Sequence, residues 1–407
     1  MINSRFIAYK ILEATLLKNQ YTNLALKNLQ TNPQDTRFIT KLVYTSLQNY
    51  ESLLFQSSEY LTKPVSKQAE ILLVMGNCQH YKMDSIQDYA IVNEMVNLAK
   101  RVAPGYQGLI NAVLKKTFTK PYRLSQTENE IMNLSINTST PQWIASLLVS
   151  QYGQEIAEKI LAHNQTEAPL YVRVNPLKAT ETEIIENYPV IKVGDYFVGQ
   201  QSLLKSDALS LGLAVIQDKT SQKICTLFDL TGSKRVLDAC SAPGTKTSQL
   251  ATMVSQGEIV AVELHEHRSK LVIDLMKRLS INNVTTITSD ILEITFDQQF
   301  DAILCDVPCS GLGVLRRKPD LKYRLSQNDL DTLQDLQKKI LNHVSLFLKV
   351  NGQLVYSTCT LNRKENEKQI ASFLKENQNY RLIHEETVLG YRENSDGFYM
   401  AKLIKVA

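Results

Sequence analysis

The sequence predicts three parts in succession: an all-helical domain, a small α+β module and an α/β domain with a mostly parallel sheet. Apolar residues recur at spacings of three and four over residues 1–135. Extended runs separated by turn residues mark residues 141–220, and strands alternate with helices over residues 221–407. These three patterns give the predicted domain boundaries.

The first part contains little glycine and no strand-like alternation. Pro33, Pro64, Pro104 and Pro121 interrupt the helical periodicity and divide it into helices of the length found in bundles. In the second part a helical stretch over residues 142–165 precedes the extended runs PLYVRVNP and PVIKVGDYFVGQ. We therefore expect a helical bundle followed by a small mixed module.

The third part has buried-type strand sequences between amphipathic helices. The strands are RVLDAC, EIVAVEL, VTTITSD, FDAILCDV and GQLVYSTC. Such alternation predicts a parallel sheet with helices on both faces, and ligands of open α/β sheets bind beyond the carboxyl ends of the strands. The functional residues are expected at that edge.

Composition excludes several classes of protein. The chain has 407 residues, 43% hydrophobic and 21% charged, which is typical of globular domains rather than of disordered or collagen-like chains. Its six cysteines form no CxxC pair, and no apolar run is long enough to span a bilayer. We expect a reduced, cytoplasmic protein without a structural metal or a membrane anchor.

Net charge does not decide the partner. The formal charge is +4, and residues 1–140 hold 15 basic and 10 acidic side chains. This excess fits both a surface that faces phosphates and ordinary solvated helices.

A loop of small residues follows the first strand of the α/β part. It runs from Cys240 through Ser241, Ala242, Pro243, Gly244 and Thr245 to Lys246, where a helix begins. Such a loop brings backbone N–H groups and the positive helix end to an anionic group. The GxGxxG and GxxxxGK patterns are both absent, which argues against an NAD(P) oxidoreductase and against ATP, and favours another nucleoside cofactor.

Three carboxylates and two cysteines fall at or just after the predicted strand ends. Glu263 is suited to binding the hydroxyls of a ribose, and Asp290 and Asp306 follow on the next strands. A single such carboxylate commonly caps the next helix, but three in register favour a ligand site. Cys309 and Cys359 each follow an apolar strand, and a cysteine thiolate there is suited to adding to an electron-poor ring carbon.

The remaining cysteines and a basic stretch have simpler alternatives. Cys78, Cys225 and Cys305 are expected to be buried hydrophobic residues. After Cys309 the chain carries a cationic and aromatic stretch suited to holding an RNA backbone and stacking a base; the alternative is a solvated loop. Its candidate RNA contacts are Arg316, Arg317, Lys318, Lys322, Tyr323 and Arg324.

Together these motifs resemble the RNA cytosine-5 methyltransferases of the Sun/RsmB family. The resemblance covers about the last 190 residues through DACSAPGTKT, DVPCSG, YSTCT and the closing strand DGFYMAKL, in family order. It implies a Rossmann-like domain that binds S-adenosylmethionine (SAM) and methylates C5 of cytidine in RNA. Thr245 stands where the family usually has a second glycine, which puts the detail of the loop in doubt.

The resemblance also implies individual roles. Residues Cys240 to Lys246 would hold SAM, with Glu263 on the ribose, Asp290 near the adenine and Asp306 near the methionine or the target base. Cys359 would be the nucleophile and Cys309 would assist release.

The first two parts extend the resemblance. Segments around Val92-Asn93-Glu94 and Asn111-Ala112-Val113-Leu114 resemble helices of the antitermination factor NusB. The PLYVRVNP module resembles the small RNA-binding subdomain of the family, which makes Arg173 and Asn175 expected RNA contacts. This order of domains favours 16S ribosomal RNA as substrate and a monomer as the working form. Transfer RNA as substrate and a non-catalytic RNA-binding or assembly protein stay open as alternatives.

Overall fold

The structure is a computed structural model that describes residues 3–84, 86–231 and 234–407. It consists of two compact units. The helical unit comprises the described residues of Met1–Thr166 together with Leu315–Ser326, and the sheet unit comprises those of Glu167–Val314 and Gln327–Ala407. The chain therefore leaves the sheet unit after Val314, contributes a short segment to the helical unit, and returns at Gln327.

Helices and strands follow in the order α1 (Ser4–Lys18), α2 (Thr22–Lys27), α3 (Pro33–Gln48), α4 (Tyr50–Ser58), α5 (Lys67–Lys82), α6 (Asp88–Val102), α7 (Gln107–Thr117), α8 (Glu130–Asn137), α9 (Gln142–Tyr152), α10 (Gln154–His163), β1 (Leu170–Val174), α11 (Glu181–Asn187), β2 (Val190–Val193), β3 (Tyr196–Gly199), α12 (Asp207–Ser210), β4 (Ala214–Ile216), α13 (Lys219–Thr226), β5 (Arg235–Asp238), α14 (Thr245–Met253), β6 (Glu258–Glu263), α15 (Glu266–Leu279), β7 (Val284–Thr288), β8 (Phe300–Asp306), α16 (Leu321–Arg324), α17 (Gln327–Ser345), β9 (Leu348–Thr358), α18 (Glu367–Glu376), β10 (Tyr380–Val388), α19 (Gly390–Glu393) and β11 (Phe398–Lys405). Short 3-10 helices lie at Gln201–Lys205 and Ile291–Glu293.

The helical unit forms as the periodicity predicts. Asn32 caps α3 by accepting a hydrogen bond from the Asp35 N–H at 2.8 Å, and Pro33 occupies the first turn, where no N–H partner is needed. The apolar face of α3, including Leu42 and Leu47, is fully buried in a core shared with α1, α5, α6 and α7. Helices α9 and α10 also belong to this compact unit.

A small antiparallel sheet opens the sheet unit, in the order β2-β3-β1-β4. Gly194 makes the β2–β3 turn with a φ of 59°, a conformation that glycine adopts without strain. Val172, Phe197 and Leu203 form its core with Ile184 of α11. The extended runs of the sequence thus form strands β1, β2 and β3, whereas the three-residue strand β4 was not predicted.

The main sheet contains, among the residues that the structure describes, seven strands in the order β10-β11-β9-β8-β5-β6-β7. Strands β5 to β9 are parallel, and β11 and β10 are antiparallel to their neighbours. The strand order reverses between β8 and β5, which is where ligands bind in doubly wound sheets. The five parallel strands were predicted, and β10 was not.

The described residues contain no helix long and apolar enough to cross a membrane. They also contain no group of His, Cys, Asp and Glu side chains placed to hold a metal ion.

Candidate active site

The acidic residues at the strand ends lie along one edge of the main sheet. Asp238 ends β5, Glu263 ends β6 and Asp306 ends β8, and these parallel strands run side by side in the order β8-β5-β6. Asp290 follows β7 by a short turn. The register therefore brings together the carboxylates that the sequence singled out.

The loop between β5 and α14 has a fixed shape. Gly244 precedes α14 with a φ of 98°, and a Cβ built on it would lie 3.2 Å from Cα of Val272. Ser241 ties the loop to β6, because its N–H and its hydroxyl both donate to the carbonyl of Val262 at 2.9 and 3.0 Å. The first N–H groups of α14 consequently face the same sheet edge as the carboxylates.

Asp238, which sequence reasoning did not place in the site, supports this loop. It is 1% exposed and accepts a hydrogen bond from the Thr247 hydroxyl at 2.7 Å. Burial raises the pKa of Asp238 to about 7, with the nearby Asp306 carboxylate adding to the effect and the Thr247 hydrogen bond opposing it. The feature of the sequence that could have identified Asp238 as a site residue is its position as the first residue of the DACSAPG motif.

The next two strands carry the groups that fit a nucleoside. Glu263 is 4% exposed, lies 3.3 Å from the Arg268 guanidinium and accepts a hydrogen bond from the His265 N–H at 3.1 Å. Asp290 accepts a hydrogen bond from the Leu292 N–H at 2.9 Å, so it takes the capping role that the sequence left open. A helix that begins directly after a glycine with a φ of 98°, beside a held carboxylate, fits a charged nucleoside cofactor.

Lys246 and Asp306 form a partly buried ion pair at the β8 end. The Lys246 Nζ lies 2.7 Å from Oδ2 of Asp306, and the Ser357 hydroxyl donates to Oδ1 at 2.6 Å. Burial lowers the pKa of Lys246, but the Asp306 carboxylate outweighs it, so the pKa lies above its ordinary value. Lys246 was predicted to hold the cofactor; its ammonium is directed at Asp306.

Cys309 and Cys359 come together as their strands predict. They follow the neighbouring strands β8 and β9, and their sulfur atoms lie 3.2 Å apart. The hydrogen bond to Cys359, and next burial, raise the pKa of Cys309 well above its ordinary value, with the charges of Cys359 and Glu365 adding to the effect. The two thiols are therefore within hydrogen-bonding distance, and either of them can be the donor.

Three of the other four cysteines are buried hydrophobic residues, as predicted. Cys78, Cys225 and Cys305 are all 0% exposed. Burial raises the pKa of both Cys78 and Cys225 to about 12 and that of Cys305 further, so these thiols are held in the neutral form.

Two predicted RNA contacts of the small sheet have internal partners. Asn175 is 1% exposed, and its amide donates to the carbonyls of Gly212 and Leu279, both at 2.9 Å. The prediction that it contacts RNA is therefore wrong in this structure. Arg173 donates to Ser248 of α14 at 2.6 Å and to Gln217 at 2.8 Å, and burial lowers the pKa of its guanidinium to about 10. It supports the helix that follows the small-residue loop.

The basic stretch after Cys309 belongs to the helical unit rather than to a solvated loop. Lys322 is 2% exposed and donates to backbone carbonyls, so its predicted phosphate contact is wrong. The Tyr323 ring lies 5.5 Å from that of Tyr50, and the Arg324 guanidinium lies 3.5 Å from the Tyr21 ring. Both side chains thus have aromatic neighbours within the helical unit.

The first three cations of the stretch are more accessible. Arg316 is half-buried and donates to the carbonyl of Thr166 at 3.1 Å. Arg317 is half-buried and Lys318 is exposed. Arg317 and Lys318 stay predicted RNA contacts.

The sheet order, the glycine loop and the carboxylates at the strand ends define a Rossmann-like domain of the SAM-dependent methyltransferase class. A family model for the 16S rRNA methyltransferases RsmB/F matches residues 225–404. A model of the NusB family matches residues 2–118, and one of the ferredoxin-like domain of RsmF/B-type methyltransferases matches residues 140–188.

Relatives that match over most of the chain indicate the same family as these models. The chain is 32% identical over 387 residues to the probable ribosomal RNA small subunit methyltransferase B of Bacillus subtilis, covering 90% of this chain and 87% of that protein. It is 28% identical over 431 residues to the ribosomal RNA small subunit methyltransferase B of Yersinia pseudotuberculosis, covering 99% of each. The chain belongs to this family of SAM-dependent ribosomal RNA methyltransferases.

Solved structures share the fold. The crystal structure of PH0851 matches with a TM-score of 0.81 at 22% identity, over 100% of this chain and 99% of that one. A methyltransferase homolog protein from Pyrococcus horikoshii matches with a TM-score of 0.61 at 24% identity, over 69% of this chain and 100% of that one. The predicted fold class, with its helical NusB-like part and its methyltransferase part, is confirmed.

Proposed function

We propose that this protein methylates C5 of a cytidine in 16S ribosomal RNA through a covalent adduct between Cys359 and C6 of the base. The observation that carries the proposal is the pair of sulfurs 3.2 Å apart at the ends of β8 and β9, beside the Lys246–Asp306 ion pair. A methyltransferase that acted on a nucleophilic nitrogen or oxygen would need no such pair.

Four parts of the chain would hold the cofactor. The loop from Cys240 to Lys246, with the start of α14, would face its charged end, and Glu263 would bind the ribose hydroxyls. Asp290 would lie toward the adenine and Asp306 toward the methionine or the target base. When bound, SAM supplies an electrophilic methyl group.

Cys359 makes C5 nucleophilic. Its thiolate adds to C6 of cytosine, the C5–C6 π electrons shift onto the ring, and C5 gains enamine-like character. We assign Cys309 as the donor across the 3.2 Å contact between the two sulfurs, because a hydrogen bond donated to Cys359 would stabilise the thiolate that attacks C6.

Asp306 and Lys246 act on the edge of the base. The Asp306 carboxylate accepts a hydrogen bond from the exocyclic amine of cytosine, and Lys246 places a positive charge beside the ring nitrogen that gains electron density. The Ser357 hydroxyl fixes the second oxygen of Asp306, so the carboxylate is oriented before the base arrives.

Cys309 assists release. After C5 carries the methyl group, the C5–H bond breaks and solvent water accepts the proton. The electron pair of that bond restores the C5–C6 double bond, and the C6–S bond breaks with Cys359 leaving as a thiolate. The Cys309 thiol stabilises that thiolate through the same hydrogen bond. The target cytidine has to be unstacked for C6 to be reached, which favours a loop or an exposed strand of RNA.

The test is incubation with labelled SAM and undermodified 16S ribosomal RNA, followed by analysis of the nucleosides for 5-methylcytidine. Cys359→Ala is expected to abolish the product, and Cys309→Ala to accumulate a covalent protein–RNA adduct. Cys78→Ala, which removes a buried thiol of the helical unit, is the control and should turn over normally.

Other outcomes would contradict either the proposed mechanism or the proposed substrate. Normal turnover by both Cys359→Ala and Cys309→Ala would refute the two-cysteine mechanism. SAM binding without product on ribosomal RNA would move the proposed substrate to transfer RNA or to an assembly particle. We also propose a cytoplasmic monomer as the working form.

A further inference from the structure

A buried carboxylate lies directly behind the two cysteines. Glu365 is 0% exposed and stands between the end of β9 and the start of α18. The chemistry proposed above does not use it, and the sequence motifs did not single it out. A carboxylate enclosed this fully is costly unless its oxygens are fully hydrogen-bonded.

Four donors converge on Glu365. Its Oε2 accepts from the Ser310 N–H and the Gln337 amide, both at 2.9 Å, and its Oε1 accepts from the Ser310 hydroxyl at 2.6 Å and the Asn362 amide at 3.0 Å. Each oxygen thus receives two hydrogen bonds. Because the backbone N–H and the amides only donate here, the arrangement fits the ionised carboxylate.

These donors connect the two cysteine loops. Ser310 directly follows Cys309, and its hydroxyl also lies 2.7 Å from the hydroxyl of Thr360, which directly follows Cys359. The Ser310 hydroxyl donates its one hydrogen to Glu365, so the Thr360 hydroxyl is the donor in its contact with Ser310. A single chain of hydrogen bonds therefore joins the residues next to both thiols.

The other side of Cys309 is held by the same group. The Gln337 amide that donates to Glu365 also donates to the carbonyl of Pro308 at 2.9 Å. The residues before and after Cys309 are thus both fixed relative to one carboxylate. On the Cys359 side, the neighbouring Asn366 accepts from the Thr358 hydroxyl at 2.6 Å and donates to the Thr360 carbonyl at 2.9 Å.

We propose that Glu365 is a positioning residue, whose carboxylate keeps the two cysteine loops in register so that the Cys309 thiol directs its proton at the sulfur of Cys359. This inference rests on the proposed function, since it assigns Cys359 as nucleophile. The charge of Glu365 has a second effect in the same direction. It disfavours a negative charge on Cys309, and this adds to the hydrogen bond between the two thiols and to burial, the two larger causes of the raised pKa of Cys309.

The test measures the two thiols directly, in the full chain without SAM and without RNA. The rate of alkylation by iodoacetamide is followed against pH for the Cys309 and Cys359 peptides by mass spectrometry. In the wild type we expect Cys359 to react first and Cys309 only at higher pH. Glu365→Gln should reduce the separation between the two profiles on the pH axis by about one unit. At a fixed pH this is about a tenfold change in the ratio of the Cys359 and Cys309 alkylation rates.

A matched control and a milder variant complete the design. Glu367→Gln makes the same change two residues further on, where the carboxylate accepts from the Thr387 hydroxyl, and it should leave both profiles in place. Ser310→Ala keeps the charge of Glu365 but removes a link between the loops. It should narrow the gap between the profiles by less than Glu365→Gln, and it is the variant to measure if Glu365→Gln does not fold.

Methylation provides an independent readout. Glu365→Gln should lower kcat about tenfold or more with KM for RNA within about twofold, and Glu365→Asp should recover part of kcat, because a positioning residue acts on the reaction rather than on RNA binding. Unchanged thiol profiles in folded Glu365→Gln would overturn the inference. If the wild type makes no 5-methylcytidine but Glu365→Gln still shifts the thiol profiles, the positioning role is supported and only the proposed function is refuted.

Discussion

Replacing Lys322 by methionine is expected to change how the stability of the helical unit depends on pH. Lys322 is 2% exposed, and its Nζ donates to the carbonyls of Gln48 at 2.9 Å and Ser139 at 2.8 Å. Burial lowers the pKa of Lys322 from 10.5 to about 7, with Glu51 partly opposing the shift. A neutral amine still has two N–H groups for these two carbonyls.

The sign follows from proton binding. Above a pH of about 7 the folded protein releases the Lys322 proton, whereas the unfolded chain keeps it up to a pH of about 10.5, so the unfolded state binds more protons in this range. Stability therefore rises with pH through this window. Between pH 6 and pH 9 the difference amounts to about two pH units at about 1.4 kcal/mol each, or about 3 kcal/mol.

The assay is urea unfolding at 25 °C, followed by the fluorescence of Trp143. This is the only tryptophan in the chain and it lies in α9 of the helical unit, so it reports on that unit. Lys322→Met loses donors to the two carbonyls at every pH, but it has no proton to release. The difference in the free energy of unfolding between the wild type and Lys322→Met should therefore change by about 3 kcal/mol in favour of the wild type from pH 6 to pH 9.

Lys318→Met is the matched control, because Lys318 lies exposed in the same segment. Its stability should stay parallel to that of the wild type across the range. A difference between the wild type and Lys322→Met that is the same at pH 6 and pH 9 would refute the reasoning, since it would mean that the buried amine does not titrate in this window.

The remaining predictions concern ligands. Glu263→Gln removes the charge that pairs with Arg268 and that is proposed to bind the ribose, and it should weaken SAM binding about tenfold in calorimetry; an unchanged affinity would remove Glu263 from the ribose. Lys318→Met should lower the salt dependence of RNA binding, measured as the slope of log K against log salt, by about 0.7, the value for one phosphate contact on a single strand. Lys322→Met should leave that slope unchanged, and a loss of slope in it would contradict the burial of Lys322.

Much of the site could be predicted because it depends on where the chain ends a strand. Glu263, Asp306, Cys309 and Cys359 lie at or just after the ends of strands with unmistakable apolar patterns, and parallel strands bring those ends to one edge. No long-range contact had to be known to place them. The buried cysteines followed in the same way, from apolar neighbours along the chain.

The predictions that failed depended on partners far away in sequence. Asn175 looked available for RNA, but its amide satisfies carbonyls at Gly212 and Leu279. Lys322 belonged to a run of cations typical of a phosphate-binding surface, but its partners are the carbonyls of Gln48 and Ser139. Charge patterning describes how many cations a segment holds and not which of them reach solvent.

Glu365 shows why the supporting residues of a site are harder to predict than its reactive ones. A nucleophile has to be of a particular residue type and has to stand at a strand end, so both chemistry and position mark it in the sequence. A group that acts through hydrogen bonds to Ser310, Gln337 and Asn362 is marked by neither, because its role exists only once those donors have converged. In the sequence it is one of two glutamates in the polar run after YSTCT. What distinguishes it is complete burial with four hydrogen bonds, which offset the cost of desolvating the carboxylate and fix its position between the two cysteine loops.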